Sequence, residues 1–168
     1  MTAPPTYVLD ANVLIQAARE FYAFDLVPAF WDKLLDLASN GRVLSIDRVK
    51  FELDRGNDEL KDWANGAFHH CIASTQQADV LESYREIMEW AQAQTQYRDG
   101  AKAEFADEKN ADAWLVAYAK AKGCTIVTRE QPAPESRTKI KIPDVCRAFE
   151  IEFVDLFAML RALEVKLG

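Results

Sequence analysis

The chain has 168 residues, enough for one domain with a substantial core and too few for two full-sized ones. Apolar residues make up 49%, charged residues 28%, and there are only 6 Gly and 6 Pro, which excludes disorder, collagen-like repeats and linker arrays. With 20 Lys and Arg against 27 Asp and Glu the formal charge is −7, so the chain does not hold nucleic acid through a bulk positive field, and where the acids sit becomes the question.

The N-terminus, Met1 to Thr6, lacks the basic start and apolar core of a secretory signal. No stretch approaches the roughly 20 apolar residues that span a bilayer, so the expected setting is the cytoplasm, with no membrane partner. A short apolar run, Tyr7-Val8-Leu9, stops at Asp10 and passes through Asn12 into a helical stretch from Val13 to Phe21. Phe30, Leu34, Leu35, Leu37 and Ala38 recur at helical spacing, and Asn40-Gly41 supplies a left-handed stop. Arg42 to Ile46 reads as a second strand, Asp47 as an N-cap, and Arg48 to Arg55 as a helix ended by Gly56. Asn57 or Asp58 then caps a short helix carrying Trp63.

Phe68 to Ile72 reads as a short strand, and Ser74 to Gln77 has the form of a capping box. The following helix is marked by Val80, Leu81, Tyr84, Ile87, Met88 and Ala91 on one face, with Glu82, Arg85, Glu86 and Glu89 opposite. After a polar turn at Arg98-Asp99-Gly100, Ala111 to Lys122 is helical up to Gly123, and Cys124 to Thr128 is a strand of the fully buried type. A polar loop broken by Pro132 and Pro134 follows, then Ile140 to Ile142, a turn at Pro143-Asp144, a short helix, the strand-like Ile151 to Val154, and a last helix from Asp155 to Leu167. Short buried strands alternating with helices predict an α/β fold, three layers in α/β/α order around a mostly parallel central sheet. The chain is read as a single domain over 1–168 with a helical insertion around 68–107.

In such a fold, ligands gather beyond the carboxyl ends of the strands, where strand order reverses. Asp10 directly follows the first strand, Glu52 lies in the helix after the second, Asp112 in the first turn of the helix before the third, and Glu130 just past that strand. Val49, Glu52 and Leu53 share a helix face, so this glutamate points inward. Carboxylates brought together without a countercharge take up protons or hold a cation, and an all-oxygen set suits Mg²⁺ or Mn²⁺. The chemistry that needs such a set is attack of water on a phosphodiester, with Asn12 orienting the water or a ligand and Thr128 holding a neighbouring carboxylate.

The run Tyr7-Val8-Leu9-Asp10-Ala11-Asn12-Val13-Leu14-Ile15 resembles the opening D-x-N signature of PIN domains, nucleases that include the VapC-type toxins of toxin–antitoxin systems. Phe51-Glu52-Leu53 is similar to the segment bearing that family's second acid, Asp112 to Ala119 to the helix bearing its third, and Cys124 to Thr128 to the strand that follows. Glu130, reached through Arg129, stands where an aspartate is commoner. The resemblance runs from about Thr6 to Phe153, and Ile140 to Cys146 further resembles a less studied PIN-like branch that is itself similar to the toxins. It implies a Mg²⁺-dependent (or Mn²⁺-dependent) endoribonuclease with Asp10, Glu52, Asp112 and Glu130 as catalytic metal ligands and Asn12, Thr128 and Arg129 in support, acting on RNA, commonly as a homodimer, and inhibited by an antitoxin protein.

Asp107 and Asp144 stand in reserve for the fourth acid. His69 and His70 are adjacent, so in a strand their rings point to opposite faces, and they read as structural or surface residues. The three cysteines, Cys71, Cys124 and Cys146, lie far apart among apolar neighbours and read as buried reduced thiols. Trp31, Trp63, Trp90 and Trp114 fall on apolar faces as core or interface anchors, and the cluster Phe21, Tyr22, Phe24, Phe30, Trp31 is dense enough for part of it to serve a dimer or antitoxin contact. The segment from Arg129 to Arg147 holds five basic residues, Arg129, Arg137, Lys139, Lys141 and Arg147, and is a candidate guide for an RNA backbone. Two other functions remain open: a non-catalytic interaction module, and a haloacid-dehalogenase-type phosphatase, which needs a second aspartate where Asn12 stands.

Overall fold

Tyr7, Val8 and Leu9 are buried on both faces, which makes their strand, β1 (Tyr7–Leu9), the centre of a sheet. The structure is a computed structural model describing residues 4–56 and 58–168. β2 (Val43–Ile46) pairs with one side of β1 and β4 (Thr125–Val127) with the other. β3 (Ile72–Ala73) and β5 (Phe153–Val154) form the edges, giving the order β3-β2-β1-β4-β5 with every pair parallel. Parallel pairing needs crossovers, and the helices supply them as layers about the sheet, the expected α/β/α architecture. The edge strands have two residues each, so little backbone is offered to foreign strands.

The helices are α1 (Ala11–Gln16), α2 (Pro28–Ser39), α3 (Asp47–Asp54), α4 (Glu59–Asn65), α5 (Ala78–Ala93), α6 (Asp99–Ala106), α7 (Asp112–Lys122), α8 (Ile142–Ala148) and α9 (Leu156–Ala162). α7 is buried without interruption from Ala113 to Ala119, the signature of a helix enclosed on every side. Gly123 closes it at φ 70°, the left-handed conformation that glycine adopts without a steric penalty. Among the described residues no helix is long and apolar enough to cross a membrane.

Several expected elements differ. The helix expected from Val13 to Phe21 splits into α1 and a π-helical turn over Ala17–Phe21, closed by the Tyr22 amide donating to Ala17 O at 2.7 Å. Of the strand expected over Phe68 to Ile72 only Ile72 is extended. His69–Cys71 form a 3₁₀ turn because Phe68 is buried against Trp63, their rings stacked 4.5 Å apart, and the Cys71 amide donates back to Phe68 O. His69 and His70 are both exposed. Asp47 is not an N-cap but the first residue of α3. Its carboxylate accepts from the Thr75 amide and hydroxyl, at 3.1 and 2.8 Å, tying α3 to the exit of β3.

Ser74 to Gln77 forms no capping box: Ser74 Oγ accepts from the Gln76 amide, and Gln77 itself occupies the N-cap position of α5. Asp58 does cap α4, accepting from the Lys61 amide, while Asn57 lies outside the described residues. Helix α6 goes unannounced in the sequence because only Ala101 and Phe105 mark its buried side. Pro143 and Asp144 belong to the first turn of α8 rather than to a separate turn, as suits a proline whose missing N–H is unneeded there. α9 is capped by Asp155 but stops at Ala162, short of Leu167, since Glu164 has φ 57°. The stretch 68–107 contributes β3 to the sheet as well as α5 and α6.

The aromatic cluster is mostly interior. Trp31 is 2% exposed, stacks on Phe24 at 4.0 Å, meets Phe30 and Trp63 edge-on, and donates Nε1–H to Tyr22 O at 2.7 Å. Only Phe21 of the five named aromatics is exposed, at 41%. Trp114 is also buried, whereas Trp63 and Trp90 are half-buried against the core. The cysteines are free. Cys124 and Cys146 are buried and Cys71 only half-buried, and burial pushes the Cys146 thiol up to about 12, leaving it inert at neutral pH. Trp31→Ala should therefore act on stability rather than on a surface contact, lowering the unfolding free energy by about 3–5 kcal/mol in a denaturant titration.

Candidate active site

Because β1 and β4 pair in register with Leu9 opposite Val127, the residues that follow them, Asp10 and Thr128, emerge side by side. The chain runs from β1 to β2 and β3 on one side and returns through β4 to the other, so strand order reverses between β1 and β4. Asp10 thus stands at the switch point of the sheet. Its amide donates to Val127 O at 3.0 Å, and Thr128 Oγ1 lies 3.2 Å from Asp10 Oδ2 as hydrogen-bond donor. The same hydroxyl oxygen accepts from the Glu130 amide at 3.1 Å, so one threonine orients the first acid and anchors the segment bearing the last.

Glu52 projects from α3 between Val49 and Leu53, both buried, as the helix face requires. Its Oε1 accepts from the Ala111 amide at 3.1 Å, directly before α7, and so meets one of the orphan donors at that helix start. Asp112 is the first residue of α7, and its amide donates to Asn110 Oδ1 at 3.0 Å. Glu130 Oε2 accepts from the Ile142 amide at 3.0 Å, linking the loop after β4 to the start of α8.

These acids meet at a cleft of about 450 Å³ lined by Asn12, Glu52, Asp112 and Glu130 together with Glu104, Asp107, Asn110 and the cations Arg55, Lys109 and Lys139. Asp10 adjoins them and is only 1% exposed. Burial raises the Asp10 carboxyl from 3.8 to about 7, with the charges of Glu130 and Glu52 adding to it and the Thr128 hydrogen bond opposing it. Asp112 is pushed up to about 8, first by burial and then by Asp10 and Glu130, with Lys139 pulling the other way. Glu52 is raised by burial, against the Ala111 hydrogen bond and the charges of Arg55 and Lys139.

Of the sequence candidates, the structure brings together Asp10, Asn12, Glu52, Asp112, Thr128 and Glu130. Arg129 is exposed and does not line the cleft. Asp107 is at the cleft, with Oδ1 accepting from the Lys109 amide, whereas Asp144 accepts from the Ala133 amide with both oxygens and serves the loop instead. Of the five basic residues from Arg129 to Arg147 only Lys139 lines the cleft. Arg55, Lys109, Asn110 and Glu104 escape sequence reading, since each is a polar residue near a helix end with no apolar pattern to place it. Among the described residues no three His, Cys, Asp or Glu side chains are gathered tightly enough to hold a metal ion as they stand. The donor chemistry nonetheless suits a hard divalent cation, being all oxygen, with one buried and one half-buried carboxyl, both raised first by desolvation and then by neighbouring acids.

Comparison with known structures gives the class of fold. A chain from the crystal structure of VapBC2 from Rickettsia felis bound to a DNA fragment from their promoter superposes with a TM-score of 0.51 and 14% identity, over 89% of this chain and 98% of that one, so the architecture is PIN-like. A family model described as Domain of unknown function (DUF4411) matches residues 7–167, and the chain belongs to that family. No curated protein matches the sequence.

The raised carboxyls fix a pH dependence. In the unfolded chain these aspartates ionise near 3.8, while in the folded protein Asp10 and Asp112 keep their protons to about 7 and about 8. The folded state therefore binds more protons across that window, and stability falls as pH rises from about 4 to 8. Thermal melts of the metal-free protein should show this decline, and Asp10→Asn or Asp112→Asn should flatten it.

Proposed function

We propose that the protein is a metal-dependent endoribonuclease and the toxin of a toxin–antitoxin pair. The observation that carries the reading is the pair Asp10, buried at the switch point of a PIN-like sheet, and Asp112, half-buried beside it at the start of α7, both raised toward neutrality by desolvation and by neighbouring acids. In this reading Asp10 and Asp112, with Glu52 and Glu130, hold Mg²⁺ or Mn²⁺ through carboxylate oxygens. Bound there, the ion would supply Lewis acidity and offset charge on the phosphate.

The chain's own residues do the rest. Thr128 keeps Asp10 turned toward the cleft through its hydroxyl. The Asn12 amide, exposed two residues after Asp10, orients the attacking water or a phosphate oxygen. Water attacks phosphorus in line while the opposite P–O ester bond breaks. Arg55, Lys109 and Lys139 contact the strand's phosphates at the cleft, a small cationic set in a chain of net charge −7. The VapBC2 structure joins its proteins to promoter DNA. By analogy we infer an antitoxin partner for this chain, with a basic segment complementary to the acidic cleft. A homodimer belongs to the same reading.

Purified protein should cleave RNA with Mg²⁺ or Mn²⁺, lose the activity in EDTA, and lose roughly 100-fold or more on Asp10→Asn or Asp112→Asn. Cleavage surviving in both variants, or in EDTA, removes the assignment. Mn²⁺ should also raise the melting temperature more at pH 8 than at pH 5, because the carboxyls must release protons to bind it. Expression should arrest growth, and Asp10→Asn should relieve the arrest.

A further inference from the structure

Helix α3 and its C-cap present three polar residues at i, i+4 and i+7, Arg48, Glu52 and Arg55, and all three reach the same short segment before α7. Arg48 Nη1 donates to Glu108 O at 3.3 Å, Arg55 Nη2 to Lys109 O at 3.3 Å, and Glu52 accepts from the Ala111 amide. A loop of this kind has backbone groups that no regular element satisfies, and the stripe supplies partners for three of them in succession.

Arg48 makes two further contacts. Its guanidinium lies over the Trp114 ring, 4.3 Å from the centroid, and Trp114 stacks in turn on Tyr84 of α5 at 3.8 Å and 14°. Its Nε donates to Thr75 Oγ1 at 3.3 Å, and Thr75, fully buried, is held by Asp47. Arg48 of α3, Trp114 of α7 and Tyr84 of α5 are thus layered in succession, the two rings stacked and the guanidinium carbon over the outer one. Trp114 lies two residues past Asp112, so the stack restrains the rotation of α7 about its axis just where the acid projects.

We propose that Arg48 and Arg55 are positioning residues that hold the segment 108–111 and the first turn of α7 so that Asp112 faces the cleft. The proposal rests on the nuclease reading for its kinetic consequence, but not for its structural one. Arg48 serves through its several donors as well as its charge: the guanidinium donates in two directions, to Thr75 Oγ1 and Glu108 O, while lying over Trp114. A lysine keeps the charge but cannot make this arrangement.

The test uses the full chain with Arg48→Ala, Arg48→Lys and Arg55→Ala, followed by amide hydrogen exchange and by RNA cleavage kinetics. Exchange across 107–113 should rise about tenfold in Arg48→Ala and Arg55→Ala, with β1 and β4 unchanged. Arg48→Lys should restore the melting temperature but not the protection. In Arg48→Ala, whose residue does not line the cleft, the kcat for RNA should fall about 10- to 100-fold with KM nearly constant, since the loss is one of acid placement rather than of substrate contact; Arg55 lines the cleft, so Arg55→Ala is read by exchange alone. Unchanged exchange at 107–113 in both alanine variants overturns the proposal, as does a rise spread equally over the core strands. If the wild-type protein cleaves no RNA, the nuclease reading fails while the exchange result still decides the positioning role.

Discussion

The register of β1 against β4 is the constraint on which the rest of the molecule depends. Leu9 opposite Val127 puts Asp10 beside Thr128, the backbone bond from Asp10 N to Val127 O fixes the main chain there, and the Thr128 hydroxyl holds the carboxylate. A one-residue slip would send Asp10 to the other face and strand it in apolar packing. Every other acid is brought to this point: Glu130 by two residues of chain from Thr128, Glu52 by α3 leaving β2, and Asp112 by α7 entering β4. The cost is a concentration of negative charge in a region shielded from water, which the metal-free protein relieves by retaining protons.

Rigid and irregular parts divide the work at the cleft. α7 is enclosed from Ala113 to Ala119 and packs extensively on α5, so its axis is set by the core. The loops on either side are set by polar contacts instead. Gln96 donates to Pro134 O and Ser136 O, and the Arg98 amide donates to Arg137 O, so the segment between α5 and α6 braces the loop that carries Lys139. Glu130 and Asp144 secure the same loop from inside by accepting backbone amides. The result is a preformed cleft whose walls come from parts of the chain distant in sequence.

The net charge of −7 takes on a different meaning once the residues are placed. Five carboxylates line the cleft, Glu52, Glu104, Asp107, Asp112 and Glu130, with Asp10 adjoining, while only three cations share the lining. Many of the remaining acids are ordinary surface charges, several paired along helices, as Arg85 is with Glu82 and Glu89 and Lys50 with Asp54. Such pairs contribute little to stability and keep the outer surface acidic.

The sequence by itself determined the parts governed by local patterning. Tyr7–Leu9, Val43–Ile46 and Thr125–Val127 are apolar runs too short and too buried to be anything but inner strands, and an acid directly after such a strand lies at the sheet's carboxyl edge. Asp10 was legible on that ground, Glu52 from the helix face it shares with Val49 and Leu53, Asp112 from the first turn of the helix that leads into β4, and Glu130 from its place just past that strand. What only the tertiary structure decided was whatever has no period. α6 carries two buried residues and no stripe, the 3₁₀ turn at His69–Cys71 follows from Phe68 stacking on Trp63, and the π-helical turn after α1 has no sequence mark. Arg55 and Lys109 at the cleft, and the choice of Asp107 over Asp144, belong here too. Hydrogen bonds between residues some 40 to 60 positions apart, such as Arg48 to Glu108 and Gln96 to Ser136, set those loops, and a pairing of that range leaves no trace in local composition.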